Sequence, residues 1–329
     1  MSGCPRPYPP ASRRGDTLAN GNCSQYSRGI ARPVSILAAL TLATAVVAGC
    51  SSSSSPTGST PKTLHIVAAE NFWGSIAAQL AGTTATVKSV VTDPNADPHS
   101  YESSSDDARA FADADYVIVN GAGYDGWAQQ LLSANPSGKR NVLTVAGLLG
   151  KKEGDNPHFW YDPDYVTAVV NRIEADLEAL EPGEVPYLRT QRSAFDAAMA
   201  PYRSRLAAIK ATFSGTAVAS TESIFVYLAD YLGLRLISPP AFMDAVSEGN
   251  DPPAPSVIQF QQQITTHQAK VLVYNVQTST DLTTNIRNLA GKAGVPTVGV
   301  TETIQPVGAT FEQWFTNELV QLRSALAHA

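Results

Sequence analysis

The chain has 329 residues, with 23 Lys and Arg against 29 Asp and Glu, which gives a formal net charge of −6. This acidic balance makes nucleic acid an unsuitable partner and is compatible with a cation ligand, although most such charges are ordinary solvated ones. The 280 residues from Cys50 onward are enough for two lobes of typical domain size.

The N-terminal region has the pattern of a lipoprotein signal. Arg28 and Arg32 precede an apolar run at 34–47, and the sequence VAGC ends at Cys50. The run is shorter than the roughly 20 residues of a membrane span, and small residues precede the cysteine, as signal cleavage requires. We predict a signal peptide with an upstream leader at 1–49 and a lipid on Cys50 that anchors the protein at the extracytoplasmic face of the cell membrane.

Residues 50–62 are Ser-rich and low in apolar content, so this segment is predicted to be a flexible tether. Cys4 and Cys23 lie upstream of the predicted cleavage site, so the mature chain keeps one cysteine, and that one carries lipid. A disulfide and a thiolate metal ligand are therefore excluded for the mature protein. Removal of residues 1–49, with five basic residues and one acid, leaves a formal charge of −10.

Short β-branched runs alternate with longer helix-like stretches from residue 63 onward. Their apolar residues do not alternate with polar ones, which is typical of strands covered on both faces in a parallel α/β sheet. The runs fall into two sets of four, at 64–69, 86–91, 116–120 and 142–145, then at 216–220, 234–237, 271–275 and 297–301. We predict an α/β fold with two lobes, 63–180 and 214–329, each with a roughly four-stranded, mainly parallel sheet flanked by helices.

A stretch at 181–213 lies between the two sets and carries apolar residues at mostly three- or four-residue spacing. This spacing predicts a long helix that links the lobes. Pro201 interrupts the pattern, because an interior proline removes a backbone donor and clashes with the preceding turn. We expect either a kink at this position or two helices in place of one.

Two of the five histidines follow a proline in similar local sequences, DPHSYE at 97–102 and NPHFWYDP at 156–163. The proline disfavours a helical conformation in the residue before it, so His99 and His158 are each predicted to stand on a turn. Imidazole is the commonest nitrogen ligand for transition metals, and the repeat therefore indicates half of a metal site. Two unrelated surface turns are the alternative interpretation. His65, His267 and His328 have no such ligand context.

From about Thr63 to its end, the chain resembles the metal-binding solute-binding proteins of ABC importers, the zinc/manganese family. The resemblance rests on both histidine motifs, on Asp107, on the sequence ADAD at 112–115 and on Asn-Gly at 120–121. It implies two α/β lobes joined by a long linking helix, with a metal site in the interlobe cleft. It also implies a binding protein without enzymatic activity.

The resemblance supplies two further ligand candidates. Glu222, in the sequence TESIFVYL, occupies the third ligand position of the family. Glu302, in TETI, occupies the fourth, where the family normally has the shorter Asp. From the residues alone, Glu222 is better explained as an acid at a helix N-terminus and Glu302 as a loop charge.

Three more residues of the histidine motifs are predicted to surround the ligands without binding the metal, namely Tyr101, Trp160 and Asp162. Trp160 is the best candidate to shield the site.

The predicted function is capture of one divalent metal ion, Mn²⁺ or Zn²⁺, as a monomer, and its delivery to the membrane subunit of an ABC permease. Oxygen-rich ligands favour Mn²⁺, whereas the intrinsic order of affinities places Zn²⁺ above Mn²⁺, so both ions stay open, with iron as a third. Two alternatives are a surface adhesin with a structural metal and a secreted metallohydrolase in which Glu222 or Glu302 is a general base.

Overall fold

Two parallel four-stranded sheets organise the part of the protein that this computed structural model describes, residues 63–95 and 98–329. The first sheet has the order β2-β1-β3-β4 and consists of β1 (Leu64–Glu70), β2 (Ala85–Val91), β3 (Tyr116–Val119) and β4 (Asn141–Thr144). The second sheet has the equivalent order β6-β5-β7-β8 and consists of β5 (Ala217–Ser220), β6 (Arg235–Leu236), β7 (Val271–Asn275) and β8 (Thr297–Val300). Each of the eight predicted runs coincides with one of these strands to within a residue or two at either end. The predicted fold class is confirmed.

Helices flank both sheets. Those of the N-terminal lobe, the half with β1 to β4, are α1 (Asn71–Ala81), α2 (Ser105–Asp113), α3 (Gly126–Ala134), α4 (Val145–Leu148) and α5 (Pro163–Leu180). Two linking helices follow, α6 (Val185–Ala198) and α7 (Ala200–Phe213). The C-terminal lobe, the half with β5 to β8, has α8 (Val226–Leu232), α9 (Pro240–Ser247), α10 (Ala254–Thr265), α11 (Asp281–Ala293) and α12 (Phe311–Ala327).

The linking segment consists of two consecutive helices, one of the two outcomes expected from Pro201. The backbone leaves regular helix geometry at Met199, where ψ is −10°, and α7 begins one residue later. Pro201 then lies in the first turn of α7. Its missing N–H has no consequence there, because the first N–H groups of a helix have no partner within the helix.

One apolar core runs through both lobes. It joins residues under the first sheet, such as Ile66, to residues under the second, such as Val273. Helix α12 adds Trp314 and Phe315, whose rings pack against Tyr161 of the N-terminal lobe at centroid distances of 6.3 and 4.9 Å. The lobes are therefore in apolar contact beside α12.

The parallel strands place the site loops on one edge of each sheet. Segments that follow β2, β4, β5 and β8 carry the four predicted ligands, and β7 ends at Asn275. The carboxyl ends of parallel strands are where α/β proteins bind ligands. The predicted signal peptide, the lipidation site Cys50, the tether and Asp97 lie outside the described residues, so those predictions stay predictions.

Candidate metal centre

His99 lies in a single 3₁₀ turn, Pro98–Ser100, between β2 and α2. Its imidazole packs edge-on against the rings of Tyr124 and His158, at centroid distances of 4.8 and 5.8 Å. Nε2 of His99 lies 3.1 Å from Oε2 of Glu302 in the other lobe. The His99 side chain is 24% exposed, whereas those of His158, Glu222 and Glu302 are fully buried, so solvent reaches the site past His99.

His158 directly precedes the 3₁₀ turn Phe159–Tyr161. Its Nδ1 lies 2.7 Å from Oδ1 of Asn156, whose Nδ2 donates to the carbonyl oxygen of Ser223. Burial lowers the pKa of His158 to about 3, so the ring is neutral and carries its one proton on Nδ1. The Nε2 lone pair is buried and has no hydrogen-bond partner within residues 63–95 and 98–329. A fixed, neutral imidazole with a free Nε2 is the form that binds a metal.

Glu222 and Glu302 follow β5 and β8 by two residues and face each other across Asn275. The Nδ2 group of Asn275 donates to Oε1 of Glu222 over 2.8 Å and to Oε1 of Glu302 over 2.7 Å. Burial, and next the charge of Glu302, raises the pKa of Glu222 to about 8. Burial acts in the same direction on Glu302, but the nearby His99 and hydrogen bonds from His99 and Tyr124 outweigh it and lower the pKa of Glu302 to about 2.

The ligand atoms are spaced for one ion. Atoms of His99, His158 and Glu302 all lie within 4.8 Å of one another. Nε2 of His158 is 3.9 Å from Oε2 of Glu302 and 3.9 Å from Oε1 of Glu222. Two ligand atoms on one tetrahedral Zn²⁺ lie about 3.4 Å apart, since the bonds are about 2.0–2.2 Å long. The atoms of His99, His158 and Glu302 therefore lie close to the spacing that one ion requires, and Glu222 adjoins this group through its 3.9 Å approach to His158.

Neighbouring side chains hold Glu302 in place. Burial, followed by the charge of Glu302, raises the pKa of Tyr124 well above its ordinary value, so the phenol stays protonated and donates to Oε2 of Glu302 over 2.8 Å. Oε1 of Gln277 accepts the backbone N–H groups of Glu302 and Thr303. Tyr161 donates to the carbonyl oxygen of Thr301 over 2.9 Å. The carboxylate of Glu302 is thus fixed by groups from both lobes.

The three residues predicted to surround the ligands occupy different places. Trp160 packs edge-on against His158 at 5.3 Å and stacks on Phe72 at 4.0 Å, so it adjoins the site. Tyr101 donates to Asp107 over 2.8 Å. Asp162 caps α5 by accepting the backbone N–H groups of Asp164 and Tyr165. The described hydrogen bonds of Tyr101 and Asp162 therefore serve α2 and α5, not the ligands.

Sequence reasoning missed Tyr124, Asn156, Asn275, Gln277 and Thr278. Thr278 donates to Oε2 of Glu222 over 3.2 Å. One signal was available for Asn275, which is a polar residue at the carboxyl end of a predicted parallel strand, the edge where ligands bind. A hydroxyl such as that of Tyr124 gives no comparable signal.

A cleft of about 1530 Å³ opens beside the ligands. Its lining includes His99 and Tyr124 from the N-terminal lobe and Ser223, Tyr227 and Thr278 from the C-terminal lobe. The ion site therefore adjoins solvent through this cleft, past His99 and Thr278.

The family described as the periplasmic zinc-uptake complex component A matches residues 66–325. The chain belongs to this family. The match covers both sheets, the linking helices and all four predicted ligand positions of this member of the zinc-uptake component A family. None of the helices in the described ranges combines the length and apolar character that a membrane span needs.

The relatives that match by sequence carry names that state different metals. The manganese-binding lipoprotein MntA of Halalkalibacterium halodurans is 32% identical over 141 residues, which cover 42% of this chain and 46% of the relative. The iron-binding protein YfeA of Yersinia pestis is 27% identical over 187 residues, which cover 54% and 59%. The chain thus spans about half the length of the curated relatives it matches.

Solved structures show the same fold. The periplasmic zinc-binding protein TroA of Treponema pallidum gives a TM-score of 0.66 at 17% identity, over 79% of this chain and 98% of that chain. A manganese-bound mutant of a periplasmic metal-binding protein from candidatus Liberibacter asiaticus gives 0.66 at 16% identity, with the same coverage. At such identities the likeness concerns the two-lobe α/β fold alone.

Proposed function

We propose that this chain is an extracytoplasmic, lipid-anchored solute-binding protein that captures one divalent transition metal, Mn²⁺ or Zn²⁺, and delivers it to an ABC permease. The observation that carries the proposal is the convergence of His99, His158 and Glu302, whose ligand atoms lie within 4.8 Å of one another at the interface of the lobes. Membership of the zinc-uptake component A family supports it.

The chemistry of the proposed ligands suits capture and release. Two imidazoles and two carboxylates, with Glu222 as the fourth ligand, fill a four-coordinate shell, whereas a catalytic zinc keeps one position for water. The ligands come from both lobes, so the shell is complete only while the lobes are together. We infer that the protein is a carrier without catalytic activity, as the names of its relatives also suggest.

Metal analysis tests the capture step. A soluble form beginning at Ser51 is loaded with equimolar Mn²⁺ and Zn²⁺, desalted and analysed for both elements, beside His99→Ala, His158→Ala, Glu222→Ala and Glu302→Ala. We expect about one equivalent of metal in the parent, because three ligands converge on one point and Glu222 lies beside them, and less in each variant. Lack of retained metal in the parent would remove the basis of the proposal.

Transport and anchoring need separate tests. In a deletion strain, the parent gene should restore uptake of the preferred ion from dilute medium, and His158→Ala should not. Replacing Cys50 by Ala should release the protein from the membrane and abolish its lipid label. A membrane-bound Cys50→Ala product would contradict the anchoring proposal and leave metal capture intact.

A further inference from the structure

The side chain of Asn275 donates hydrogen bonds to both predicted carboxylate ligands. It ends β7, is 1% exposed and donates from Nδ2 to Oε1 of Glu222 and Oε1 of Glu302. The two carboxylates come from loops 80 residues apart in sequence, at 222 and 302. Asn275 therefore fixes their mutual position before any ion arrives.

The orientation of the Asn275 amide follows from its other partner. Its Oδ1 accepts a hydrogen bond of 2.9 Å from the backbone N–H of Gln277, so this oxygen faces the backbone of its own loop. Nδ2 must then face the carboxylates, with one proton for each of them. The reversed amide would direct an oxygen at two carboxylates and leave the buried N–H of Gln277 opposite a donor, which is costly.

This hydrogen bonding leaves one oxygen of each carboxylate toward the histidines. In Glu302, Oε1 is taken by Asn275, and Oε2 lies 3.1 Å from His99 Nε2 and 3.9 Å from His158 Nε2. In Glu222, Oε2 accepts from Thr278, and Oε1 is the atom 3.9 Å from His158 Nε2. Oε1 of Glu222 keeps a second lone pair for a metal, because a carboxylate oxygen has two.

We propose that Asn275 is a positioning residue that occupies Oε1 of Glu302 and, together with Thr278 on Oε2 of Glu222, leaves each carboxylate one metal-facing oxygen, and so makes the shell four-coordinate and favours Zn²⁺ over Mn²⁺. The inference rests on the proposed function, since it assigns a selectivity to that same site. Two nitrogens and two oxygens match the tetrahedral preference of Zn²⁺. Mn²⁺ suits a six-coordinate, oxygen-rich shell, which two bidentate carboxylates would provide. Asn275 prevents bidentate binding by Glu302, and Thr278 opposes it at Glu222.

Removal of the bridge should be visible in the metal spectrum. Asn275→Ala and Asn275→Leu both remove the donors, and leucine also fills the volume, so an effect shared by both does not come from a cavity. Asn285→Ala, the same change at an exposed position of α11, is the matched control. The probes are Co²⁺, whose visible absorption is intense in a four-coordinate site and weak in a six-coordinate one, and competition between Zn²⁺ and Mn²⁺.

We expect an intense Co²⁺ spectrum in the parent and in Asn285→Ala, and a weaker one in both Asn275 variants. The affinity for Zn²⁺ should fall by about 10- to 100-fold, the range for removal of a group that orients a metal ligand, and the affinity for Mn²⁺ should fall less. A purely structural role for Asn275 would lower stability without changing either the spectrum or the preference.

The outcomes separate this inference from the proposed function. A parent that binds metal, with Asn275 variants that keep its spectrum and its selectivity, would overturn the role of Asn275 and leave metal capture standing. A weak, six-coordinate Co²⁺ spectrum in the parent would overturn the inference even if the variants failed to fold. A parent without bound metal would overturn both proposals.

Discussion

The two carboxylate ligands lie in contrasting surroundings. The loop of Glu302 is fastened to the N-terminal lobe, where Ile304 N–H donates to Oδ1 of Asn71 over 3.1 Å and Gln305 Nε2 donates to the carbonyl oxygen of Pro94 over 2.8 Å. Trp314 and Phe315 of α12 extend the apolar core behind this loop. The Glu302 side is thus a closed, packed interface between the lobes.

Glu222 is buried, but its neighbours Ser223 and Thr278 line the open cleft. Two hydrogen bonds join the lobes beside the cleft, both 2.8 Å long. Asn156 Nδ2 donates to the carbonyl oxygen of Ser223, and the Tyr227 hydroxyl donates to the carbonyl oxygen of Asn156. Glu222 itself is held by Asn275 and Thr278, which belong to its own lobe. Glu302 is therefore held by both lobes and Glu222 by its own lobe alone, and we expect the metal to leave through the cleft that His99 and Thr278 line.

The two ligands should therefore respond unequally to deletion, which is the largest effect we expect. Glu302→Ala should weaken metal affinity by more than about 100-fold, beyond the range for residues that only orient a ligand. Glu222→Ala should cost about 10- to 100-fold, because three close ligands remain. Titration calorimetry measures both, with Glu153→Ala, an exposed acid at the cleft, as the charge-matched control. Equal losses for the two ligands would contradict the asymmetry.

Stability should depend on the closed side far more than on the cleft. Trp314 is 1% exposed, and its Nε1 donates to Oγ1 of Thr301. Trp314→Ala should lower the free energy of unfolding by about 3–5 kcal/mol, the usual cost of truncating a buried aromatic residue. Val226→Ala, at a half-buried cleft position, should cost about 1 kcal/mol or less. Urea unfolding of the metal-free protein measures both changes in unfolding free energy. Similar losses for Trp314→Ala and Val226→Ala would show that the two sides are packed alike.

The closed side should also give the metal-free protein a pH-dependent stability. Burial raises the pKa of Glu318 to about 8, although the carboxyl accepts hydrogen bonds from Tyr161 and from the backbone of Thr301. A raised pKa favours the protonated acid in the folded state, so this stability is present below pH 4.5, the ordinary pKa, and is lost as the pH rises through about 8.

Glu318→Gln isolates that contribution, because glutamine keeps the size of the side chain and does not titrate. Between pH 5 and 8, the parent should lose up to about 1.4 kcal/mol of unfolding free energy per pH unit relative to the variant. Urea titrations at each integral pH provide the comparison. Parallel pH profiles for parent and variant would mean that Glu318 is ionised in the folded protein.

The smallest effect concerns a single hydrogen bond across the cleft. Tyr227→Phe removes the donor to the carbonyl oxygen of Asn156, which should cost about 1 kcal/mol of interlobe stabilisation. Metal dissociation into excess chelator, followed by stopped flow, should become about fivefold faster. Tyr231→Phe, one turn further along α8, is the matched control. An unchanged rate of metal dissociation for Tyr227→Phe would mean that the lobes do not separate at this hydrogen bond.

Much of the fold was predictable because its signals are local. Runs such as Val117-Ile118-Val119 are apolar on both faces, which indicates a covered parallel strand, and the strand is there. The prolines before His99 and His158 predicted turns, and both histidines lie at single 3₁₀ turns. Local sequence therefore placed the strands and the turns correctly.

The surroundings of the site depend on contacts between distant residues, which composition and spacing do not encode. Asn275 reaches Glu222 over 53 positions, and Tyr161 reaches Glu318 over 157. Asp162 shows the opposite case, in which a local explanation was available and a functional one was preferred. An Asp directly before a Pro is the signature of a helix start, and Asp162 caps α5.

The structure of the metal-loaded protein would show directly whether the four predicted ligands bind one ion. Crystals grown with Zn²⁺ and data collected on both sides of the zinc absorption edge would locate the ion by its anomalous signal. We expect one ion with bonds of about 2.0–2.2 Å to Nε2 of His99, Nε2 of His158, Oε1 of Glu222 and Oε2 of Glu302. An ion bound elsewhere, or one that leaves either histidine uncoordinated, would contradict the assignment of this interlobe site.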